Sequence, residues 1–399
     1  MDRTTRAALR SFPRAMWIIA AGNFIHRFGG FVIPMLALYL TKLGQSEGRI
    51  GLVLGAYGVG KLVSAVAGGS ATDAFGHRAV IAASMFSSAV VMLVMSQLES
   101  FAALFAATAV LGFCSELFRP ATSALIAELA SPENRITAFA LNRLAINAGF
   151  AFGPALAGLL AERSFFWIFA GNAAAAVAYG VIVCVSLPAR IGAPGAVPTP
   201  DASDATGRAE GWGAVLRDRR LLLFLVAILP VAMIYMQPSG SLALYVHDIG
   251  ISAADYGLLL SFNGVLIVVG ELSLTGVTRR MRSDVVLVVG YLLLGGGFAA
   301  SGLCSGFWTL GITVFVWTLG EMVSAPAQGA VLANQAPDHL RGRYMGAYSL
   351  MWSIAAIAGP SLGTYAYAHG RWPLWWGSLA AGVASAALVW AALRRGNAR

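Results

Sequence analysis

The chain has 399 residues, of which 58% are hydrophobic and 11% charged, with a formal net charge of +9. A soluble domain carries roughly a quarter charged residues, so this composition excludes an ordinary water-soluble enzyme and implies a protein solvated by lipid. The basic balance points to nucleic acid only if the cations cluster, and here they are spread over the ends of apolar runs.

About twenty consecutive apolar residues span a bilayer as a helix. Twelve such runs occur, at about 15–40, 49–70, 78–97, 101–128, 137–160, 164–187, 219–245, 253–276, 284–303, 306–333, 343–367 and 372–393. They are long and continuous rather than short and alternating, which predicts helices and not membrane strands. With the N-terminus in the cytoplasm, Arg14, Arg78, Arg135, Arg190, Arg217, Arg280 and Arg341 fall on the cytoplasmic side, and Lys42, Arg49, Arg163 and Arg371 on the other. That asymmetry predicts that both termini are cytoplasmic and makes the charge a topology signal. The first run is too long for a cleaved signal peptide, and no small-residue cleavage site ends it, so it reads as a mature first span. Cys114, Cys184 and Cys304 all lie in apolar runs, which predicts neither a disulfide framework nor a metal site.

Span 1 carries Asn23, His26 and Arg27, with Arg27 near its midpoint. A charge at that depth is costly unless it faces a bundle interior or a water-filled cavity, so Arg27 is expected to hold a carboxylate or a substrate. Span 2 carries Lys61 near its middle and ends in Gly69-Ser70-Ala71-Thr72-Asp73-Ala74-Phe75-Gly76-His77-Arg78, a glycine-containing turn at the cytoplasmic surface. Asp73 there is expected to face the start of span 11, since a carboxylate suits a helix N-terminus. Span 4 carries Glu116 and Arg119, three apart on one face, which either neutralise each other or act on a solute. Pro120 follows and interrupts the helical ladder. Span 5 carries Arg143 and Asn147 ahead of Gly149, Gly153 and Pro154, small residues that let helices approach closely.

Residues 188–218 break the apolar pattern with a Pro-, Gly- and Ser-rich stretch, which predicts a flexible cytoplasmic linker between six-span halves at 1–187 and 219–399. In the second half, span 7 carries Tyr235, Gln237 and Pro238, span 8 Asn263, span 10 Glu321, and span 11 Tyr348 and Trp352. The halves repeat one plan. Glu116 precedes Pro132 by the same spacing that Glu321 precedes Pro337, and Gly153-Pro154 is answered by Gly359-Pro360. Such an offset indicates an internal duplication. No phosphate-binding loop of the G-x-x-x-x-G-K-[ST] type occurs, so ATP is not the expected energy source.

These residues carry a resemblance to the major facilitator superfamily over nearly the whole chain. Gly69 to Arg78 resembles its loop 2–3 motif G-x-L-a-D-r-x-G-r-R, with Ala71, Ala74 and His77 as departures. Gly149 to Gly158 is similar to the helix 5 motif G-x-x-x-G-P-x-x-G-G of twelve-helix drug:proton antiporters, with Ala157 in place of one glycine. The Arg that those antiporters carry four residues before Gly112 is Thr108 here.

The resemblance implies an all-α membrane fold of two pseudo-symmetric six-helix bundles, alternating access around a midplane site, and no cofactor or catalytic residue. It implies a monomer acting on protons and a small molecule in the cell's inner membrane. Expected proton-coupling residues are Glu116, Glu321 and Arg27. Expected substrate-binding residues are Asn23, His26, Arg27, Arg119, Arg143, Asn147, Tyr235, Gln237, Asn263, Glu321, Tyr348 and Trp352. Expected gating residues are Gly69, Asp73, Gly76, Arg78, Gly149, Gly153 and Pro154. Export of amphipathic small molecules by proton antiport is the leading expectation. The alternative is proton-coupled uptake of a peptide or other zwitterion, because Arg27, Arg119 and Glu321 resemble the pattern of oligopeptide symporters. Those symporters carry E-x-x-E-R on helix 1, where this chain has Asn23 and His26 at the acidic places.

Overall fold

The structure, a computed structural model, describes residues 9–131, 134–188, 213, 215–278, 280–337 and 340–397. Pro132, Glu133, Arg279, Asp338, His339 and most of the expected linker lie outside the described residues. Every regular element among the described residues is helical.

Span 1 is built as α1 (Arg14–Phe28) and α2 (Val32–Lys42), and spans 2 and 3 as α3 (Glu47–Phe75) and α4 (His77–Met95). Span 4 is α5 (Phe101–Glu116) and α6 (Phe118–Leu129), followed by α7 (Arg135–Arg163) and α8 (Phe165–Ser186). Span 7 is α9 (Arg219–Met236) and α10 (Ser241–Asp248). Then come α11 (Ala253–Thr278), α12 (Ser283–Ala300), α13 (Phe307–Gln335), α14 (Arg341–Ala368) and α15 (Arg371–Asn397). Among the described residues, eleven helical stretches are long and apolar enough to cross a membrane. The twelfth, α14, has 28 residues and carries Arg343, Tyr348, Ser349 and Ser353.

Three spans are interrupted, each for a local reason. Span 1 breaks at Gly29-Gly30-Phe31, where the Gly29 N–H still bonds the Ile25 carbonyl at 2.9 Å but the ladder does not continue. The fresh N-terminus of α2 needs an acceptor, since no water reaches it in hydrocarbon. Asn172 of α8 supplies it, accepting from the Val32 N–H at 3.2 Å. Span 4 breaks at Leu117 because Pro120 has no N–H to give the Glu116 carbonyl, which lies four residues back. Span 7 breaks at Gln237, ahead of Pro238, and passes through a short 3₁₀ turn. There the Gln237 side-chain amide donates to the Met233 and Gly359 carbonyls, each at 2.9 Å.

The turn expected at Gly69–Arg78 is corrected by the structure. α3 runs on as far as Phe75, so Gly69 and Asp73 are helical, and the reversal falls on Gly76 alone, at φ +79°. A helix end in the left-handed region favours glycine.

The chain divides into two compact units. One comprises Met1–Pro194 with Pro238–Val268, and the other Gly195–Gln237 with Val269–Arg399. The first half of α11 thus packs with the N-terminal helices. Small residues bring this about. A Cβ on Gly257 would stand 2.2 Å from the Pro154 carbonyl oxygen, and one on Gly158 would stand 2.3 Å from that of Ala253.

Candidate functional site

Among the described residues, a dense charge cluster lies in the N-terminal unit, at the break of span 4. α3 and α5 approach so closely that a Cβ on Gly112 would fall 2.2 Å from the Tyr57 carbonyl oxygen. This contact sets Tyr57 and Lys61, one turn apart on α3, beside Glu116 at the end of α5. The Tyr57 hydroxyl donates to Glu116 Oε1 at 2.9 Å and lies 3.2 Å from Ser115 Oγ. Lys61 Nζ stands 4.0 Å from Glu116 Oε2. Arg119, in the first turn of α6, grips the same carboxylate with two nitrogens: Nε contacts Oε2 directly, and Nη2 lies 3.4 Å from Oε1. The bidentate fork of Arg is suited to a carboxylate in this way. Glu116 is buried to 8% side-chain exposure, whereas Arg119 keeps 47% and Lys61 35%. Charges at mid-depth that stay accessible face a water-filled space rather than hydrocarbon.

Arg27 completes the cluster. It lies within electrostatic reach of Glu116, Arg119 and Tyr57. Its guanidinium stacks 4.9 Å above the Phe150 ring of α7, and its buried Nε has no hydrogen-bond acceptor. Helix 5 reaches it through the motif glycines. A Cβ on Gly149 would meet the Phe24 carbonyl at 2.7 Å, and one on Gly153 the Phe28 carbonyl at 2.5 Å.

Other expected residues are placed differently. Asn23 is buried and joined to Asn142 of α7 and to the Tyr179 hydroxyl of α8. His26 packs edge-on to Phe118, with ring centroids 4.9 Å apart. Both sit in helix–helix packing. Arg143 is exposed on α7, and Asn147 is half-buried. Asp73 is exposed. Arg78 Nη2 donates to the Cys184 carbonyl at 2.5 Å, near the C-terminus of α8. His77 lies 3.4 Å from Glu128 at the end of α6. The loop motif therefore ties α4 to its neighbours. Pro154 lies inside α7.

In the C-terminal unit, Tyr235, Trp352 and Tyr348 form an aromatic wall. Tyr235 and Trp352 ring centroids are 5.3 Å apart, and those of Tyr348 and Trp352 are 6.2 Å apart. The Tyr348 hydroxyl donates to Gln328 Oε1 at 2.9 Å. Glu321 lies within electrostatic reach of Tyr235. Gln237 is buried, and it fills the space beside Gly363, where a Cβ would stand 1.8 Å from its amide oxygen. Asn263 is buried in the half of α11 that packs with the N-terminal unit.

The Major Facilitator Superfamily model matches residues 17–360 and again 239–399. The chain belongs to the major facilitator superfamily. It is a secondary transporter of the facilitator kind and a multi-pass membrane protein, not an enzyme. A relative in Yersinia enterocolitica, "Multidrug resistance protein MdtH", is 24% identical over 91% of this chain and 90% of its own. Another, the "Na(+), Li(+), K(+)/H(+) antiporter" of Planococcus maritimus, is 22% identical over 88% of this chain and 89% of its own. A peptide-transporter crystal structure, "a POT family transporter in complex with thioalcohol conjugated peptide", superposes with a TM-score of 0.79 at 15% identity. It covers 97% of this chain and 96% of the other, and at that identity the likeness is one of fold.

Tyr57 and Gln328 are site residues that the sequence did not single out. Tyr57 had a signal: it lies four residues before Lys61, one turn away on the same face. Gln328 had none comparable, since its partner Tyr348 lies in a different helix.

Proposed function

We propose that the protein exports amphipathic small molecules by proton antiport across the cell's inner membrane, with both termini cytoplasmic. The observation that carries this reading is the seating of the helix 5 motif on span 1. Gly149 and Gly153 press against the backbone of α1 just before its break, beside Arg27. Broken helices meeting small-residue seams are where facilitators hold solutes and rock. The aromatic wall of Tyr235, Tyr348 and Trp352 supplies amphipathic surface for the apolar part of a solute. Of the two relatives, one is named for multidrug resistance and the other for cation/proton antiport.

Glu116 already serves Arg119, Lys61 and Tyr57. We therefore assign proton carriage to Glu321 and a charge-organising role to Glu116.

A second reading, proton-coupled uptake of a zwitterion, is favoured by one observation: the cations around Glu116 would also receive a solute carboxylate. Direction is tested in proteoliposomes holding an internal pH dye, with lipophilic compounds and dipeptides offered against an imposed pH gradient. Export predicts proton movement coupled to the lipophilic compounds. Coupling to dipeptides alone would replace the export reading with uptake.

A further inference from the structure

We propose that the transported solute is an organic anion, bearing a carboxylate or comparable oxyanion, which Arg27 receives together with Lys61 and Arg119. This rests on the reading of the cluster at the span 4 break as part of the transport site, and it narrows the solute class within it.

The argument begins with charge. Arg27, Lys61 and Arg119 place three cations around one carboxylate, Glu116. Glu116 is engaged by Arg119 and Lys61 through ion pairs, and its buried Oε2 makes no hydrogen bond. Its Oε2 faces Arg119 Nε and Lys61, and its Oε1 accepts from Tyr57 and Arg119 Nη2. Arg27 is left with the face of Phe150 and a buried Nε that lacks an acceptor. A guanidinium carries five donors in a fixed fork matched to oxyanions. A stacked ring satisfies its face but none of those N–H groups.

Geometry adds a direction of approach. Arg119 and Lys61 keep 47% and 35% of their side chains accessible, whereas the acid they hold is nearly covered, at 8%. What an incoming solute meets is therefore cationic. Such a surface repels a lipophilic cation and gives a solute anion the unused donors of Arg27. The apolar part of the same solute meets the ring of Phe150, beside the Arg27 guanidinium.

The chemistry is shared by carboxylates, phosphonates and sulfonates, so the test separates them. Purified full-length protein in detergent is titrated at neutral pH and constant ionic strength with dansylglycine, its methyl ester and monodansyl ethylenediamine. A dansyl phosphonate and a dansyl sulfonate form two further arms, and sodium nitrate is the control for a bare counter-ion. Fluorescence reads affinity, and the unfolding midpoint reads stabilisation. The expected result is that at least one organic anion binds about tenfold or more tighter than the ester and the amine, as a charge-assisted contact allows. Arg27→Gln is expected to remove most of that preference, so that the affinities for anion and ester converge. Where Arg27→Gln does not fold, Lys61→Met carries the same comparison.

The proposal is overturned if the ester or amine binds as well as every anion, if the anion preference survives Arg27→Gln and Lys61→Met, if nitrate competes fully, or if no anion in the panel binds. Equilibrium binding needs no gradient. A failure here thus leaves the direction and coupling of transport untouched, and a failure of antiport leaves this result standing.

Discussion

Ser261 accepts, at 2.9 Å, the backbone N–H of Ala155, the residue directly after Pro154. Pro154 has no N–H to give the Phe150 carbonyl four residues back, and a hydroxyl from α11 docks on the N–H of the next residue, Ala155. The two helices meet there with backbones nearly touching, at Gly158 against Ala253 and at Gly257 against Pro154. Ser261→Ala should cost about 0.5–1.5 kcal/mol, since it removes one part-buried hydrogen bond. Gly257→Leu should do more damage, because its Cβ would stand 2.2 Å from a carbonyl oxygen with no flexible side chain to yield. Thermal unfolding of the two variants in detergent checks the order; equal midpoints would refute it.

Glu116→Gln should be the most destabilising single change in the charge cluster. It leaves Arg27, Lys61 and Arg119 facing one another without a counter-charge. Breaking a buried ion pair costs about 3–5 kcal/mol, and the partial exposure of Arg119 and Lys61 pulls the figure towards the lower end. Tyr57→Phe, which removes the hydroxyl's hydrogen bonds to Glu116 and Ser115, should cost about 1–2 kcal/mol. Chemical denaturation in mild detergent compares the two, and a Tyr57→Phe penalty equal to that of Glu116→Gln would mean that the hydroxyl, not the charge, organises the site.

Arg27 gives an opposite signature. The sequence suggests that it holds a carboxylate or a substrate, and in the first case its removal would strand a charge. In the structure it rests on Phe150 without a direct acid contact. Arg27→Ala should therefore abolish transport while leaving the unfolding midpoint unchanged or raised, because it relieves cation–cation repulsion. Arg27→Lys keeps charge but not the fork, and should retain a small fraction of the rate. A large loss of stability in Arg27→Ala would show a hidden ion pair.

Much of this was legible in the chain itself. The apolar runs locate the spans, and the i, i+3 spacing of Glu116 and Arg119 already joins them on one face. Pro120 announces the break in span 4. The break in span 1 was not legible, because two glycines permit it without requiring it, and its stabilising acceptor, Asn172, lies on a distant span. Gln237 and Asn23 looked like solute ligands because a polar residue in a membrane needs a reason. The structure gives each a local contact that the sequence did not show: Gln237 donates to carbonyls at a helix break, and Asn23 pairs with Asn142. Gly69 and Asp73 of the span 2 motif read as a loop, yet α3 continues through them to Phe75 because the turn needs just one left-handed residue, Gly76.

Arg78 should act as a brace and not as a solute ligand. It donates to the Cys184 carbonyl, one of the last in α8, where a cation also meets the negative end of the helix. Arg78→Ala should lower stability by about 0.5–2 kcal/mol and leave substrate affinity unchanged. Binding and unfolding measured on one preparation separate these effects, and a loss of affinity without loss of stability would contradict the bracing role.

Proton coupling through Glu321 is the central claim, and Glu321→Gln in proteoliposomes tests it most directly. Internal pH and solute movement are recorded together, first with an imposed pH gradient and then without one. Gradient-driven transport should vanish in Glu321→Gln while gradient-free solute exchange persists, since the variant keeps the site but holds no exchangeable proton. Gradient-driven transport at the parent rate would contradict the claim and remove Glu321 from the coupling mechanism.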